Sequence, residues 1–326
     1  MSPQKKNNYS LVSVIIAVYN PNPVYFKKAV LSVLDQKYPV HELVLVNDGG
    51  CDSFCDVLPE DHRIKVFSKR NEGVAATRNF AITQCSGEYI AFLDQDDYWY
   101  PDKLQEQMQM IPSGVPCMVC SSVDIVVNDD VIKKLSNKES AIYQLKTCNN
   151  NILLNLVEGN FIYSSTPVIH SAVFEKAGFF DPWTQPHDDW DMYLRVVLAG
   201  FPILFYQRKP LSVWRGHDFN ESNNKSAMIR SRCRVEKKLL ETVADEKIRR
   251  VAAANLLVDY VERANLLYNK KQYVRFRSVI RYHLYQLLWN TRHFLWTNPT
   301  HRDLSRRVRH ICLKSTRRYV VSLFLS

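Results

Sequence analysis

The chain lacks the glycine signatures of the common phosphate-binding loops. After its first strand-like run, where a dinucleotide fold would carry Gly-x-Gly-x-x-Gly, it has Asn20-Pro21-Asn22-Pro23. Proline has no N–H to offer a pyrophosphate, so this turn cannot cradle one. The P-loop pattern is missing as well, so any bound nucleotide would need a metal to handle its phosphates. No stretch is long enough to span a bilayer, which limits membrane association to the surface. The run from Leu11 to Tyr19 follows Lys5 and Lys6 but is short, has no small-residue cleavage site after it and ends at Asn20-Pro21. It reads as a strand meeting a turn, not as a secretory leader. Eight cysteines in 326 residues fall short of a disulfide scaffold and suit a reducing, cytosolic compartment. Cys117 and Cys120 have a metal-like spacing, but in a β-like run residues three apart face opposite ways. They read as buried structural cysteines, and Cys51 and Cys55 read the same way. No internal repeat or low-complexity segment stands out. Acid is scarce near the end: after Arg263 only Asp303 stands against 13 Lys and Arg.

What is present supports a substantial core, with 46% hydrophobic and 12% aromatic residues. The net charge of +10 is unevenly spread. From Arg230 onward there are 22 Lys and Arg against 7 Asp and Glu, leaving 21 against 26 in the rest. The first two thirds are mildly acidic, and the basic last third calls for an anionic partner. Strand-like runs at Val12–Val18, Leu43–Val46, Ile64–Phe67 and Glu88–Leu93 alternate with helical periodicity at Phe26–Asp35 and Gly73–Gln84. Short connections in that alternation predict a parallel sheet covered by helices. Ligands of such sheets bind beyond the carboxyl ends of the strands. Tyr19-Asn20, Asn47-Asp48 and Asp94-Gln95-Asp96 all lie at such ends and should converge on one crevice.

The run from Tyr89 to Leu93 leads into Asp94, Asp96 and Asp97. Crowded carboxylates repel unless a cation joins them, and a hard divalent ion such as Mg²⁺ or Mn²⁺ is the natural partner. Capping of the next helix, which Pro101 and Asp102 open, explains Asp102 but not the other three. Further on, Cys117–Val127 reads as a strand or strand pair, Asn128–Ser140 as a loop or hairpin and Asn151–Val157 as helical. Thr166–His170 is extended, and Ala172–Ala177 is a short helix. Asp188, Asp189 and Asp191 crowd the first turn of another helix, more acid than a helix N-terminus requires. His217 follows a strand at Leu211–Trp214. Beyond Ser222–Ser226 the pattern is helical at Leu239–Val243, Ile248–Leu267 and Val274–Leu288. Basic residues there are interleaved with Tyr268, Tyr273, Phe276, Tyr282, Tyr285, Trp289, Phe294 and Trp296, as in segments that lie on membranes.

Five segments together resemble family 2 glycosyltransferases with the GT-A fold. They are Val14–Asn20, Glu42–Gly49, Asn71–Gly73 with Ala76–Asn79, Phe92–Asp97 with Pro101–Leu104, and Asp188–Arg195. The resemblance covers the first two thirds of the chain and not the basic tail. It implies a Rossmann-like, mostly parallel sheet flanked by helices, and an inverting transfer from a nucleoside-diphosphate sugar with a divalent metal. Asp48 would contact the base, with Tyr19, Asn20 and Gln95 lining the same pocket. Asp94 and Asp96 match the Asp-x-Asp motif, Asp96 on the metal and Asp94 on ribose or metal-bound water. Arg78 would face the diphosphate. His217 matches a metal-ligating histidine of some relatives, and Asp189 matches the catalytic base. Where the family usually has Asp-Asp this chain has Asn47-Asp48. Where it usually has Glu-Asp the chain has Asp188-Asp189, so Asp188 remains an alternative base.

The expected organisation is a catalytic domain over 1–225 and a basic helical region over 226–326. The expected partners are a UDP-sugar first among donors, a glycan or lipid-linked acceptor, and an anionic membrane surface or a second copy met by the tail. That places the chain on the inner face of the cytoplasmic membrane, in bacterial surface-polysaccharide synthesis. Two rivals are a nucleic-acid binder that uses the basic tail and a sugar-nucleotide binder without catalysis. The carboxylate cluster repels nucleic acid, so none is expected as a partner, and intact Asp96 and Asp189 argue against the second rival.

Overall fold

The computed structural model describes residues 9–127, 131–133, 151–269 and 272. The first strand, β1 (Val12–Val18), is almost wholly buried, as its run of Val and Ile requires of a strand covered on both faces. The turn after it hands over to helix α1 (Pro23–Leu34), with Pro23 in its first turn. Asn22 caps α1 by accepting from the Val24 and Tyr25 N–H groups (3.0 and 3.3 Å). Phe26, Ala29, Val30 and Val33 form the buried stripe of α1. The alternation continues through β2 (Glu42–Asp48), β3 (Ile64–Lys69), α2 (Val74–Gln84), β4 (Tyr89–Phe92), the two-residue β5 (Tyr98–Trp99) and α3 (Lys103–Met108).

Next come β6 (Met118–Ser121), β7 (Val123–Val127), β8 (Val131–Lys133), α4 (Ile152–Glu158), β9 (Val168–His170) and α5 (Ser171–Ala177). Helix α6 (Asp188–Leu198) and strands β10 (Ile203–Tyr206) and β11 (Ser212–Gly216) follow. Seven strands make one sheet in the order β10-β6-β9-β4-β1-β2-β3. β1 pairs in parallel with β2 and β4, β2 with β3, and β6 with β10. β9 alone is reversed, pairing antiparallel with both β4 and β6. Val168 therefore lies beside Ala91, so the chain entering β9 comes in at the carboxyl end of β4. A second sheet, β5-β11-β7-β8, stands beside the first.

The expected α/β architecture, a mostly parallel sheet flanked by helices, is present, with β9 as the antiparallel strand of the large sheet. β5 and β10 had no counterpart in the sequence reading. The run Asn128–Ser140 contributes β8 as the partner of β7; its other residues lie outside those described. Cys117 and Cys120 are buried as expected, but Cys51 and Cys55 are exposed. They sit on a 3₁₀ turn (Asp52–Val57) of which only Phe54 is buried, so the expectation of buried thiols fails there.

The chain divides into two compact units, residues 1–156 with 160–220, and 157–159 with 221–326. The second holds α7 (Lys225–Thr242) and α8 (Glu246–Asn269). Ile229, Val235 and Leu239 of α7 and Leu256, Leu257, Val261 and Ala264 of α8 are buried. Arg232 bonds both Asp259 oxygens (2.9 and 2.6 Å) and reaches Glu262 (2.8 Å), linking the two helices. The helical expectation at Val274–Leu288 lies outside the described residues. None of the described helices is long and apolar enough to cross a membrane.

Candidate active site

The strand ends do converge. Tyr19 N–H donates to Gln95 Oε1 (2.9 Å), and Gln95 Nε2 donates back to the Tyr19 carbonyl (3.1 Å). This reciprocal pair joins the end of β1 to the acidic turn after β4. Asn20, held at φ +42°, accepts the Cys51 N–H (2.9 Å) and ties the same strand end to the loop after β2. Asn47 closes that loop by bonding Gly50 through both its amide atoms and donating to Asp52 (2.6 Å).

Asp48 is buried, and its oxygens take the N–H groups of Glu72 (3.0 Å) and Gly73 (2.9 Å) and the Lys69 ammonium (3.1 Å). Gly73 caps α2 at φ +90°, an angle that calls for glycine, whereas the Gln185 amide beside it is the end of a flexible side chain that could shift aside. The residue expected to contact the base is thus also the anchor of the loop before α2.

Arg78 on α2 is buried and bridges two carboxylates, Asp94 (2.7 Å) and Asp188 (3.0 Å). Burial opposes its charge, but Asp94, Asp188 and Asp189 more than offset that and hold its pKa above the ordinary value. Besides the diphosphate contact expected of it, Arg78 joins the two acidic segments. Asp94 also accepts from Ser164 Oγ (2.5 Å). Ser165 Oγ accepts the Asp94 N–H (3.1 Å) and donates to buried Asp97 (2.5 Å), which also takes the Arg215 N–H (2.9 Å). Burial, then Asp96 and Asp94, push the Asp97 carboxyl well above the usual range.

Asp96 Oδ2 lies 2.7 Å from His217 Nε2, and both side chains are 23% exposed. Burial and then Asp94 raise the Asp96 pKa, with His217 acting against them. His217 Nδ1 accepts the Phe219 N–H (3.2 Å), which leaves its proton on Nε2 facing Asp96. Tyr25 of α1 stacks on the His217 ring (6.1 Å) and carries the Arg215 guanidinium on its face (4.0 Å). The donor set suits a hard divalent cation. Asp96 and His217 stand together, and separating them to about 3 Å would bring both to ligand distance, while Asp94 is held by Arg78 and Ser164 and does not share a common ligand spacing with them among the described residues. The histidine proton would then move to Nδ1 and the Phe219 contact would be given up.

At the start of α6 the two aspartates differ. Asp188 is buried and tied to Arg78. Asp189 is half-buried; it accepts its neighbour's Trp190 N–H (2.6 Å) and the Asn160 amide (3.2 Å). Burial and then Asp188 raise its pKa to about 7. A carboxyl near neutrality beside a crevice can take up a proton as a bond forms. Asp191, third of the acidic run, belongs to the scaffold, since it pairs with Arg195 one turn on (2.8 Å).

Ser164, Ser165, Asn160 and Arg215 escaped the sequence reading. The first three come from non-periodic segments, and only the run Ser164-Ser165-Thr166 before an extended stretch hinted at hydroxyls held in a turn. Arg215 stands two residues before His217 and could have been suspected from that alone.

The chain is similar to known proteins. The profile described as Glycosyl transferase family 2 matches residues 13–171. An uncharacterized glycosyltransferase of Rickettsia typhi is 31% identical over 235 residues, covering 67% of this chain and 68% of that protein. TuaG of Bacillus subtilis, named as a teichuronic acid biosynthesis glycosyltransferase, is 42% identical over 106 residues, covering 31% of this chain and 42% of TuaG. Among solved structures, S. aureus TarS 1–349 in complex with UDP-GlcNAc superposes with a TM-score of 0.64 at 17% identity, covering 93% of this chain and 92% of that one. At that identity the likeness establishes the fold, a GT-A arrangement with a helical C-terminal region. With strand ends, acidic turn and helix-borne aspartates gathered at one edge of this sheet, and with that extent of sequence likeness, the chain belongs to glycosyl transferase family 2.

Proposed function

We propose that this glycosyltransferase inverts the anomeric carbon as it moves a sugar from a nucleoside-diphosphate donor to a hydroxyl of a glycan or lipid-linked acceptor in surface-polysaccharide synthesis. The observation that carries the reading is the contrast at α6, where Asp188 is committed to Arg78 while Asp189 stands near neutrality with no cationic partner at hydrogen-bond distance among the described residues. Asp189 is the base: it accepts the proton of the attacking hydroxyl, and Asn160 orients it. Asp188 positions Arg78, which in turn fixes Asp94. UDP is the first choice of nucleotide, because TarS is described with UDP-GlcNAc; the name of TuaG supports a cell-surface glycan as product.

Asp96 and His217 would hold Mg²⁺ or Mn²⁺, with Asp94 on ribose or metal-bound water. The ion, when bound, neutralises the charge that grows on the departing nucleoside diphosphate. Tyr19, Asn20, Gln95 and Asp48 form the wall for base and ribose. The chain's own contribution is a preorganised set of charges and in-line placement of acceptor and donor.

The test is hydrolysis and transfer across UDP-, GDP- and dTDP-sugars with wild type and Asp189→Asn. One donor should be turned over by wild type, and the variant should bind it with nearly unchanged affinity while transfer collapses. A larger collapse in Asp188→Asn would move the base to Asp188, and turnover of no donor would remove the reading.

The basic tail is read as a membrane-surface element, reversible and electrostatic, at about 1 kcal/mol for each Lys or Arg near anionic headgroups. Residues 1–225 are taken as the catalytic domain. Removing residues after Tyr268 should shift the protein from membrane to soluble fractions and spare activity on a small soluble acceptor. Full-length protein that ignores anionic liposomes at low salt removes this part, and loss of a stable oligomer on truncation makes the tail an oligomer interface instead.

A further inference from the structure

The second unit holds an acidic group that the proposed glycosyl transfer does not use. Cys233 and Glu236 lie three residues apart on one face of α7, and Asp259 faces them from α8. The three are 3%, 3% and 5% exposed, and one ligand atom from each lies within 4.8 Å of the others. Asp259 has its countercharge, because Arg232 bonds both of its oxygens. Glu236 does not: its Oε2 is buried with no hydrogen-bond partner among the described residues. A carboxylate held in that way is unfavourable unless something occupies the space it faces.

We propose that Cys233, Glu236 and Asp259 bind one borderline divalent cation, zinc by preference, which fastens α7 to α8. The thiolate decides the class of ion, since sulfur favours zinc over the Mg²⁺ or Mn²⁺ that the oxygen donors of the crevice suit. Zinc bonds of about 2.3 Å to sulfur and about 2.1 Å to oxygen put tetrahedral ligand atoms about 3.4–3.6 Å apart. Side-chain rotations of about 1 Å would close the present set to that spacing. Three protein ligands leave a fourth position for water or another donor. Arg232 takes the outer role, orienting the ligating Asp259 carboxylate. Loading displaces the Cys233 thiol proton, so affinity rises with pH.

The experiment uses the full chain without a polyhistidine tag, measuring bound zinc by elemental analysis after dialysis in excess Mg²⁺. Wild type should keep about one zinc per chain, and Asp96→Asn should keep it too, which separates this site from the crevice. Glu236→Gln, nearly isosteric, should weaken zinc at least tenfold, and chelator should lower the Tm of wild type but not of this variant. With cobalt in place of zinc, a near-ultraviolet thiolate-to-metal band should appear, vanish in Cys233→Ser and persist when Cys51 and Cys55 are both changed to Ser. Wild type without zinc, a Glu236→Gln that binds zinc as tightly, or a band that survives Cys233→Ser would each overturn the proposal. So would a Glu236→Gln more stable than wild type whatever the metal, because Glu236 would then be a neutral, proton-bearing acid.

Discussion

The two walls of the crevice hold their polar groups differently. On the side of β1 and β2, Asn20, Asn47 and Asp48 turn mostly to backbone: the N–H groups of Gly50, Cys51, Glu72 and Gly73 and the Gly50 carbonyl. On the other side, Asp94, Asp96, Asp97, Asp188 and Asp189 are held largely by side chains from elsewhere in the sequence: Arg78, Asn160, Ser164, Ser165 and His217. Backbone donors hold a loop's shape and leave little room to move. Side-chain donors can yield, and two of these acids, Asp96 and Asp189, remain in reach of a ligand. The first wall is fixed by its backbone, and the second holds the groups that could exchange protons and charge.

Breaking the second wall should cost most. Asp96→Ala should abolish transfer and metal-dependent nucleotide binding, measured by product formation and by titration with and without chelator; wild-type turnover in chelator would sink the metal assignment. Asp189→Asn should lower the transfer rate by ~10²–10⁴-fold with donor affinity nearly unchanged. The pH profile sharpens the same point. Asp189 must be ionised to act, so the rate should fall about tenfold per pH unit below about 7, and the Asn variant should lose that limb. The raised value has an opposite effect on folding. Between about pH 4 and 7 the folded protein keeps a proton that the unfolded chain releases, so stability declines as pH rises through that window.

Ser165→Ala should act more mildly, leaving Asp97 Oδ2 without its hydroxyl and loosening Asp94, at a cost of about 1–3 kcal/mol in stability and a smaller loss of rate. In the first wall, Asp48→Asn should lower Tm through the loop before α2 by a similar energy, with donor affinity falling and the rate constant at saturation little changed. Equal losses of rate at saturation in Asp48→Asn and Asp189→Asn would erase the distinction between the walls.

Much of this arrangement was legible in the residues. The buried runs at Val12–Val18 and Tyr89–Leu93, and acids placed where strands end, are local features that sheet topology converts into one crevice. Partnerships were not legible, because a bond such as Arg78 to Asp188 spans 110 positions and leaves no periodic trace. Arg78 has the residue type of a phosphate ligand, and only the fold shows the two aspartates it bridges. β5 has two residues and β10 four, too few for a pattern to stand out. Cys51 and Cys55 were misjudged because thiols are usually buried, whereas a 3₁₀ turn with one inward residue has no interior to give them.

The reversal of β9 has an architectural consequence. Every parallel strand of the large sheet meets the carboxylate edge as it ends, so the chain beyond it must turn away. β9 meets that edge as it begins, so the chain arrives there already carrying Ser164 and Ser165. The reversed strand therefore acts as a plug: the hydroxyls that hold Asp94 and Asp97 are delivered from upstream of β9 and do not depend on the chain that leaves β4.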